Sequence, residues 1–342
     1  MNLLFVKREE DWMKKIINEV ENIVPEMISG LVRVNHELVK QIPNTTAVVR
    51  NDDDFADSQQ VGIVSGGGSG HEPLHAGFVG DGMLSAAVAG EIFTSPTPDQ
   101  IYEAIKAVDH GQGVLLIVKN YSGDVMNFDM AKEMAEADDI KVKSIVVDDD
   151  ISVENSEFTQ GKRGVAGTVL VEKIIGAAAR AGKSLDELEQ LGKTVIENTK
   201  TIGIALHAAT VPAVGHPGFE LKDDEIEFGI GIHNERGYSI EKISKSKQLA
   251  ADLVNKITKD FAKKDGKFAV LVNGMGATPL MEQFIFANDV LDQLKKQNIE
   301  VGFSKVGNMV TSLDMQGLSL TIMKVDDDWI KWLKEPVKTI AW

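Results

Sequence analysis

The chain of 342 residues is long enough for about two domains, and its 43% hydrophobic content is enough for a folded core. Its formal charge of −16 opposes direct contact with nucleic-acid phosphates and with anionic membrane surfaces. It has no cysteine, no apolar run of about 18 residues that could span a bilayer, and no secretory signal, so we expect a cytoplasmic protein without disulfides or thiolate chemistry.

The first part of the chain predicts a helix followed by short strands. Apolar residues at helical spacing indicate a helix over residues 13–40, and Met13 resembles a natural start, so residues 1–12 are expected to be an extension. Three short apolar runs that end in glycine or polar residues follow at 61–64, 114–118 and 142–147. Their alternation with helical patterns predicts a mostly parallel sheet, whose ligands usually bind beyond the carboxyl ends of the strands.

The second part of the chain predicts a second α/β unit. A helix is expected over 165–200 with Ser184 as an N-cap, and a domain boundary is placed so that the domains cover 13–190 and 191–342. Strands are predicted at 201–206, 226–232, 267–272, 299–306 and 317–325, and helices at 244–264 and 278–297. The predicted fold is therefore two α/β domains with mixed, mostly parallel sheets flanked by helices.

The strongest local motif covers residues 65–73 and reads Ser-Gly-Gly-Gly-Ser-Gly-His-Glu-Pro. Glycines such as Gly67 and Gly68 permit positive φ and a close approach of ligand to backbone, and N–H groups in such a turn can bind an anion or a hydroxyl oxygen. The ending of a phosphate-binding P-loop is missing, and the spacing of a dinucleotide site fits poorly. The segment is either a ligand-binding turn or a tight turn from strand to helix.

Two further segments place polar side chains where a site could form. Residues 90–98 form a proline-containing loop with hydroxyls, among them Ser95, which could equally be a helix entry. Lys119 and Asp124 lie in a polar segment that directly follows the strand at 114–118. Catalytic residues are common at such strand ends, and a solvated turn is the alternative.

The chain has seven histidines, at positions 36, 71, 75, 110, 207, 216 and 233. His71 and His75 have the spacing of a metal-binding pair, but the HExxH pattern is absent, so a metal-dependent hydrolase is the alternative from another functional class. His233 follows a glycine-flanked apolar strand. A histidine there can be a core-edge residue, a ligand or a nucleophile.

Nine segments, taken together and in order, resemble the substrate-binding subunit of dihydroxyacetone kinases, the DhaK type. They read GGGSGHEPLHAGFVG, GEIFTSPTPDQ, LLIVKNYSGDVMNF, VVDDDISV, KRGVAGTVLVEKIIGAAA, ATVPAVGHPGFEL, EFGIGIH, LVNGMGATPL and TSLDMQGLSLTIMKVDDD. These segments span about residues 13–342, almost the whole chain. The resemblance implies two α/β domains and a homodimer.

The resemblance also implies a binding chemistry. The family binds dihydroxyacetone (Dha) by adding a histidine nitrogen to the ketone carbon, which forms a covalent hemiaminal, and the matching histidine is His233. Neutral imidazole is a nucleophile near pH 7, and only a carbonyl compound can accept it, so polyols are excluded. His71 and Asp124 match the acid–base pair. The remaining substrate contacts match Gly67, Gly68, Ser95 and Lys119. No metal and no cofactor are implied.

Two roles remain open within this resemblance. The family's ATP-using form carries a further nucleotide domain, whereas this chain ends at Trp342. A kinase role would therefore need a separate ADP-bearing subunit, which in many bacteria is recharged by the phosphoenolpyruvate phosphotransferase system. A non-kinase paralogue, the DhaQ-like protein, instead binds Dha and co-activates a TetR-like transcription regulator of the kinase operon.

The segment around the nucleophile bears on this choice. The family usually reads Gly-Ile-His-Gly-Glu-Pro-Gly, but Asn234 and Arg236 replace the second glycine and the proline here. Asn234 is expected to add a side chain where a nucleotide has to approach, and Arg236 removes a fixed φ. These departures favour the sensor role, in which contact with DNA belongs to the regulator.

Overall fold

The computed structural model describes residues 14–154 and 159–342. It contains two six-stranded mixed sheets flanked by helices, which confirms the predicted α/β fold class. Within this described part, no helix combines the length and the apolar character that crossing a bilayer requires. The extension expected at residues 1–12 lies outside the described residues.

The first sheet matches the predicted parallel arrangement. Its strands are β1 (Val39–Gln41), β2 (Ala47–Arg50), β3 (Gly62–Ser69), β4 (Ala86–Ile92), β5 (Val114–Lys119) and β6 (Val142–Val147). The spatial order is β1–β2–β4–β3–β5–β6, in which β4, β3, β5 and β6 pair in parallel and β1 and β2 are antiparallel. The carboxyl ends of β3, β5 and β6 therefore meet at one edge.

The predicted first helix is too long at both ends. The helices of this half are α1 (Ile23–Val34), α2 (Asp54–Asp57), α3 (Pro98–Val108) and α4 (Ser122–Ala137). At the end of α1, the amide of Asn35 donates to the carbonyl of Leu31 at 2.9 Å. This side-chain contact competes with continuation of the helix, and the chain instead enters β1.

The glycine-rich motif is a strand and not the predicted turn. Strand β3 runs through its three consecutive glycines as far as Ser69. A Cβ atom on Gly66 would lie 2.5 Å from the carbonyl oxygen of Val88, and one on Gly68 would lie 2.5 Å from the nitrogen of Thr94. The glycines are required because neighbouring backbone passes this close to the strand.

Replacing Gly66 with alanine is expected to lower the free energy of unfolding by about 1–3 kcal/mol, because the added methyl group overpacks the contact with β4. Urea unfolding measures the change. Gly30 lies exposed in α1 with no atom near its virtual Cβ, so Gly30→Ala serves as the control and should stabilise by about 0.5–1 kcal/mol. Equal effects of the two substitutions would contradict the packing argument.

The second sheet departs from the prediction. Its strands are β7 (Thr199–His207), β8 (Glu225–Phe228), β9 (Ser239–Lys242), β10 (Lys267–Gly274), β11 (Glu300–Gly307) and β12 (Gln316–Val325), in the order β11–β10–β12–β7–β8–β9. Among these strands only β10 and β11 pair in parallel, so the prediction of a mostly parallel sheet is wrong here. Parallel neighbours need a crossover connection, and a helix crosses over between β10 and β11.

The remaining helices are α5 (Thr168–Arg180), α6 (Leu185–Glu197), α7 (Ser246–Lys259), α8 (Leu280–Lys296) and α9 (Asp327–Lys334). The single helix predicted over 165–200 is two helices. Gly182, two residues after the end of α5, adopts a left-handed φ of 85°, which interrupts the helix. Ser184 then caps α6 through a reciprocal contact with Glu187, which confirms the predicted N-cap.

The apolar core is continuous between the two sheets. Helix α5 is buried along twelve of its thirteen residues, and one cluster of buried residues joins side chains of the first sheet, such as Ile117, to α5 and to side chains of the second sheet, such as Leu271. A backbone hydrogen bond also links the two parts, since the N–H of Ile151, shortly after β6, donates to the carbonyl of Thr201 in β7. The predicted division at residues 190 and 191 stays a prediction.

Candidate active site

A cavity of about 450 Å³ lies beyond the carboxyl ends of β3 and β5. Its lining residues are Gly68, Phe93, Thr94, Ser95, Tyr121, Ser122, Gly123, Asp124 and His233. Strand β3, the loops after β4 and β5 and the first turn of α4 supply all of them except His233, which comes from the loop after β8. The cavity thus brings together four of the residues singled out in the sequence, and two parts of the chain far apart in sequence build it.

The local fold around His233 places a carboxylate beside one of its two ring nitrogens. Strand β8 ends at Phe228, earlier than predicted, because Gly229 has a φ of 79°. The chain then turns so that the carboxylate of Glu235 accepts the backbone N–H of His233 at 2.7 Å and lies 3.2 Å from its Nδ1. Burial raises the pKa of Glu235, but the hydrogen bonds from His233 and the nearby Arg163 outweigh this effect and lower the pKa to about 2, so this carboxylate is ionised.

The ionised Glu235 can only accept hydrogen bonds, so Nδ1 of His233 carries the proton. Nε2 then bears the lone pair of the neutral imidazole. This arrangement has the logic of a nucleophile oriented by a carboxylate. Glu235 was not among the predicted site residues, although its position two residues after a candidate nucleophile was a usable signal.

Three rings pack around the imidazole of His233. The ring centroids of Tyr121, His71 and Phe93 lie 4.4, 4.7 and 5.2 Å from its own. Phe93 adopts a φ of 55° and stacks on His71 at 5.1 Å. Tyr121 and Phe93 were not named as site residues, although both occur in the polar segments singled out in the sequence. These rings confine the His233 side chain and exclude water from one side of it.

His71, one of these three rings, is a buried, neutral histidine. Its Nδ1 donates to the carbonyl of Thr311 at 2.7 Å, while its Nε2 is buried with no hydrogen-bond partner among the described residues. Burial, together with the proximity of His233 and Lys119, lowers the pKa of His71 well below its usual value. Nε2 is therefore a hydrogen-bond acceptor whose ring packs against that of His233, although His71 does not itself line the cavity.

Asp124 lies in the first turn of α4, where the helix N-terminus favours a negative charge. The ammonium of Lys119 lies 3.5 Å from its Oδ2 and donates to the carbonyl of Gly66 at 3.1 Å. The absence of a side chain at Gly67 leaves room for that ammonium. Lys119 is fully buried, so it and Gly67 lie behind the lining of the cavity and not on its surface.

The hydrolase alternative requires His71 and His75 as a pair of metal ligands, and the ring of His75 is already engaged in this structure. Nδ1 of His75 lies 2.6 Å from Oε1 of Glu172, and its Nε2 lies 2.9 Å from the ammonium of Lys119. Both ring nitrogens are therefore engaged by protein groups. The described residues also contain no group of three or more His, Cys, Asp or Glu side chains that could hold a metal ion.

The two substitutions beside His233 have structural partners. Both amide atoms of Asn234 bond the backbone of Ala209, at 2.9 and 3.0 Å, with the φ of 63° that asparagine tolerates. The guanidinium of Arg236 lies 5.5 Å from the ring centre of Phe219. Asn234 does not line the cavity, and the expectation that it obstructs a nucleotide stays a prediction.

Comparison with known proteins identifies similar chains. The model of the Dak1 domain matches residues 29–341. A Lactococcus lactis protein named as the dihydroxyacetone-binding subunit DhaK of a PTS-dependent dihydroxyacetone kinase is 60% identical, over 96% of this chain and 99% of its own length. The corresponding subunit of kinase 1 from Listeria innocua is 61% identical, over 96% of this chain and its whole length.

A co-activator is also similar. The DhaKLM operon coactivator DhaQ of Lactococcus lactis is 42% identical over 96% of this chain and its whole length. The solved structure of a dihydroxyacetone kinase operon co-activator, Dha-DhaQ, superposes with a TM-score of 0.87 at 41% identity, over 95% of this chain and 99% of that one. Similarity of the fold alone therefore does not distinguish the two roles.

Proposed function

Because the chain belongs to the Dak1 domain family, we propose that it binds Dha covalently on His233 and serves as the Dha-binding subunit of a phosphotransferase-system-dependent dihydroxyacetone kinase. The observation that carries this proposal is the His233–Glu235 pair at a cavity that also contains Asp124. A nucleophile and a base in one cavity are what capture of a ketone and transfer to its hydroxyl require.

Capture of Dha starts at Nε2 of His233. Nε2 forms a bond to the ketone carbon, the π pair of the carbonyl group moves to its oxygen, and that oxygen takes up a proton from solvent. The imidazole ring, which keeps its Nδ1 proton, becomes positively charged. Glu235, which is already ionised and hydrogen-bonded to Nδ1, stabilises this charge. The new hydroxyl group of the hemiaminal donates to the free Nε2 of His71.

Phosphoryl transfer would use Asp124. Its carboxylate accepts the proton of a Dha hydroxyl group as that oxygen bonds to phosphorus, and the bond from phosphorus to the leaving ADP breaks. The nucleotide would be brought by a separate ADP-bearing subunit. Ser95 and Gly68, which line the same cavity, would contact the substrate hydroxyl groups.

Two observations favour the kinase role over the sensor role that the sequence alone suggested. The identity to two of the similar kinase subunits is 60% and 61%, against 42% to the co-activator, although two other kinase subunits are 41% and 39% identical. Of the two substitutions that favoured the sensor role, Asn234 hydrogen-bonds the backbone of this chain and the Arg236 guanidinium lies over the ring of Phe219. We also propose a homodimer, as the family resemblance implies, which analytical ultracentrifugation can measure.

The purified chain, mixed with Dha, an ADP-loaded nucleotide-bearing subunit from the same cell and its phosphoryl source, is expected to form Dha phosphate at a rate typical of kinases, about 1–100 per second. Chromatography of the product measures it. Dha binding by calorimetry without any product would contradict the kinase role. A pull-down of a TetR-like regulator in the presence of Dha would then support the sensor role.

A further inference from the structure

A row of four buried polar side chains leads away from the cavity into the protein. It starts at Asp124, continues through Lys119 on β5 and His75 in the loop after β3, and ends at Glu172 on α5. Lys119 and Glu172 have no exposed surface, and Asp124 and His75 are almost fully buried. Buried charges are costly unless they are paired, so a row of this length requires a reason beyond packing.

The direction of each hydrogen bond in the row is determined by chemistry. An ammonium group only donates, so Nε2 of His75 accepts from Lys119 at 2.9 Å. Nδ1 of His75 then carries the proton, which it donates to Oε1 of Glu172 at 2.6 Å. Ser65 lies 3.0 Å from the same Nδ1, and its hydroxyl donates to the carbonyl of Ile117. His75 is therefore held as one neutral tautomer.

The row holds the ammonium of Lys119 at a distance of 3.5 Å from Oδ2 of Asp124. The ammonium has two nearer acceptors, the carbonyl of Gly66 and Nε2 of His75, and lies 3.5 Å from the carboxylate. If His75 could not accept, the buried ammonium would be expected to close onto Asp124. It would then occupy a carboxylate lone pair that the substrate proton needs.

We propose that His75 and Glu172 are positioning residues, which hold the ammonium of Lys119 at a set distance from Asp124 and so keep one carboxylate oxygen available to the substrate hydroxyl group. Neither residue lines the cavity, and both act through Lys119. This inference rests on the proposed kinase function, because it concerns the base of the transfer step.

The test compares His75→Leu, which removes both hydrogen bonds, with His75→Gln, whose carboxamide oxygen can accept from Lys119 while its nitrogen donates to Glu172. We expect His75→Leu to lower kcat about 10- to 100-fold, as small misplacements of catalytic groups do, while Dha affinity changes less than about threefold. We expect His75→Gln to regain most of kcat. Lys173→Gln, which alters the next residue of α5, is the matched control.

Unchanged kcat in His75→Leu would overturn the proposal, and so would a His75→Gln variant that is as defective as His75→Leu. If circular dichroism shows that His75→Leu does not fold, nitrogen NMR of the wild-type chain tests the proposal instead. A proton on Nε2 of His75 would contradict it, because Nε2 has to accept the hydrogen bond from Lys119. If the wild-type chain forms no Dha phosphate, the proposed function is overturned instead. The tautomer of His75, measured by NMR, then tests the positioning of Lys119 independently of activity.

Discussion

Replacing His233 with alanine is expected to abolish measurable binding of Dha. The ligand has few atoms, so the bond from Nε2 to its ketone carbon supplies most of its affinity, and hydrogen bonds to Asp124 and His71 alone would leave it weakly held. We expect the dissociation constant to rise at least about 100-fold, which corresponds to about 2.7 kcal/mol. Isothermal calorimetry with Dha measures this change.

The matched control is His207→Ala, which removes an exposed histidine at the end of β7. Its Dha affinity should equal that of the wild-type chain. Glycerol, which has no carbonyl group, should bind neither protein. A His233→Ala variant that keeps wild-type affinity would falsify covalent capture at this residue and leave only hydrogen bonding in the cavity.

Replacing Asp124 with asparagine is expected to stop phosphoryl transfer while Dha still binds. The amide is close to the carboxylate in shape, but it cannot take the proton of the substrate hydroxyl group. General-base catalysis contributes about 10²–10⁴ to a rate, so kcat should fall by a factor in that range. Steady-state assays of Dha phosphate measure kcat, and calorimetry measures binding.

Asp129→Asn is the control, because Asp129 lies on the same helix and is exposed to solvent. It should leave kcat unchanged. Loss of Dha binding in Asp124→Asn, in proportion to the loss of kcat, would show that Asp124 serves to bind the ligand and not to accept a proton in the transition state.

The predictable parts of the fold are those in which local pattern and tertiary environment agree. Strands β5 and β6 are β-branched runs that end in polar residues, and both lie where they were predicted. Strand β4 was missed because Ala-Ala-Val-Ala-Gly has little strand propensity, and pairing on both sides with β2 and β3 makes it a strand. The antiparallel second sheet was missed because strand direction depends on long-range connections.

The site was predictable in its parts but not in its chemistry. From its own neighbours in sequence, His233 could be a core-edge residue, a ligand or a nucleophile. The contact that favours the last of these comes from Glu235, two residues further on, and the rings of Tyr121 and His71 that confine the imidazole belong to the other half of the chain. Glu172 shows the same limit, because in sequence it is one charged residue in a helix, and only folding places it against His75.

The continuous core between the two sheets links ligand occupancy to thermal stability of the whole molecule. His233 comes from one half of the chain and Asp124 from the other, so a bound ligand would be lost when either half unfolds. A ligand present at 100 times its dissociation constant stabilises such a folded state by about 2.7 kcal/mol. Saturating Dha should therefore raise the melting temperature of the whole protein in a single transition. Neither half should unfold at the temperature observed without the ligand.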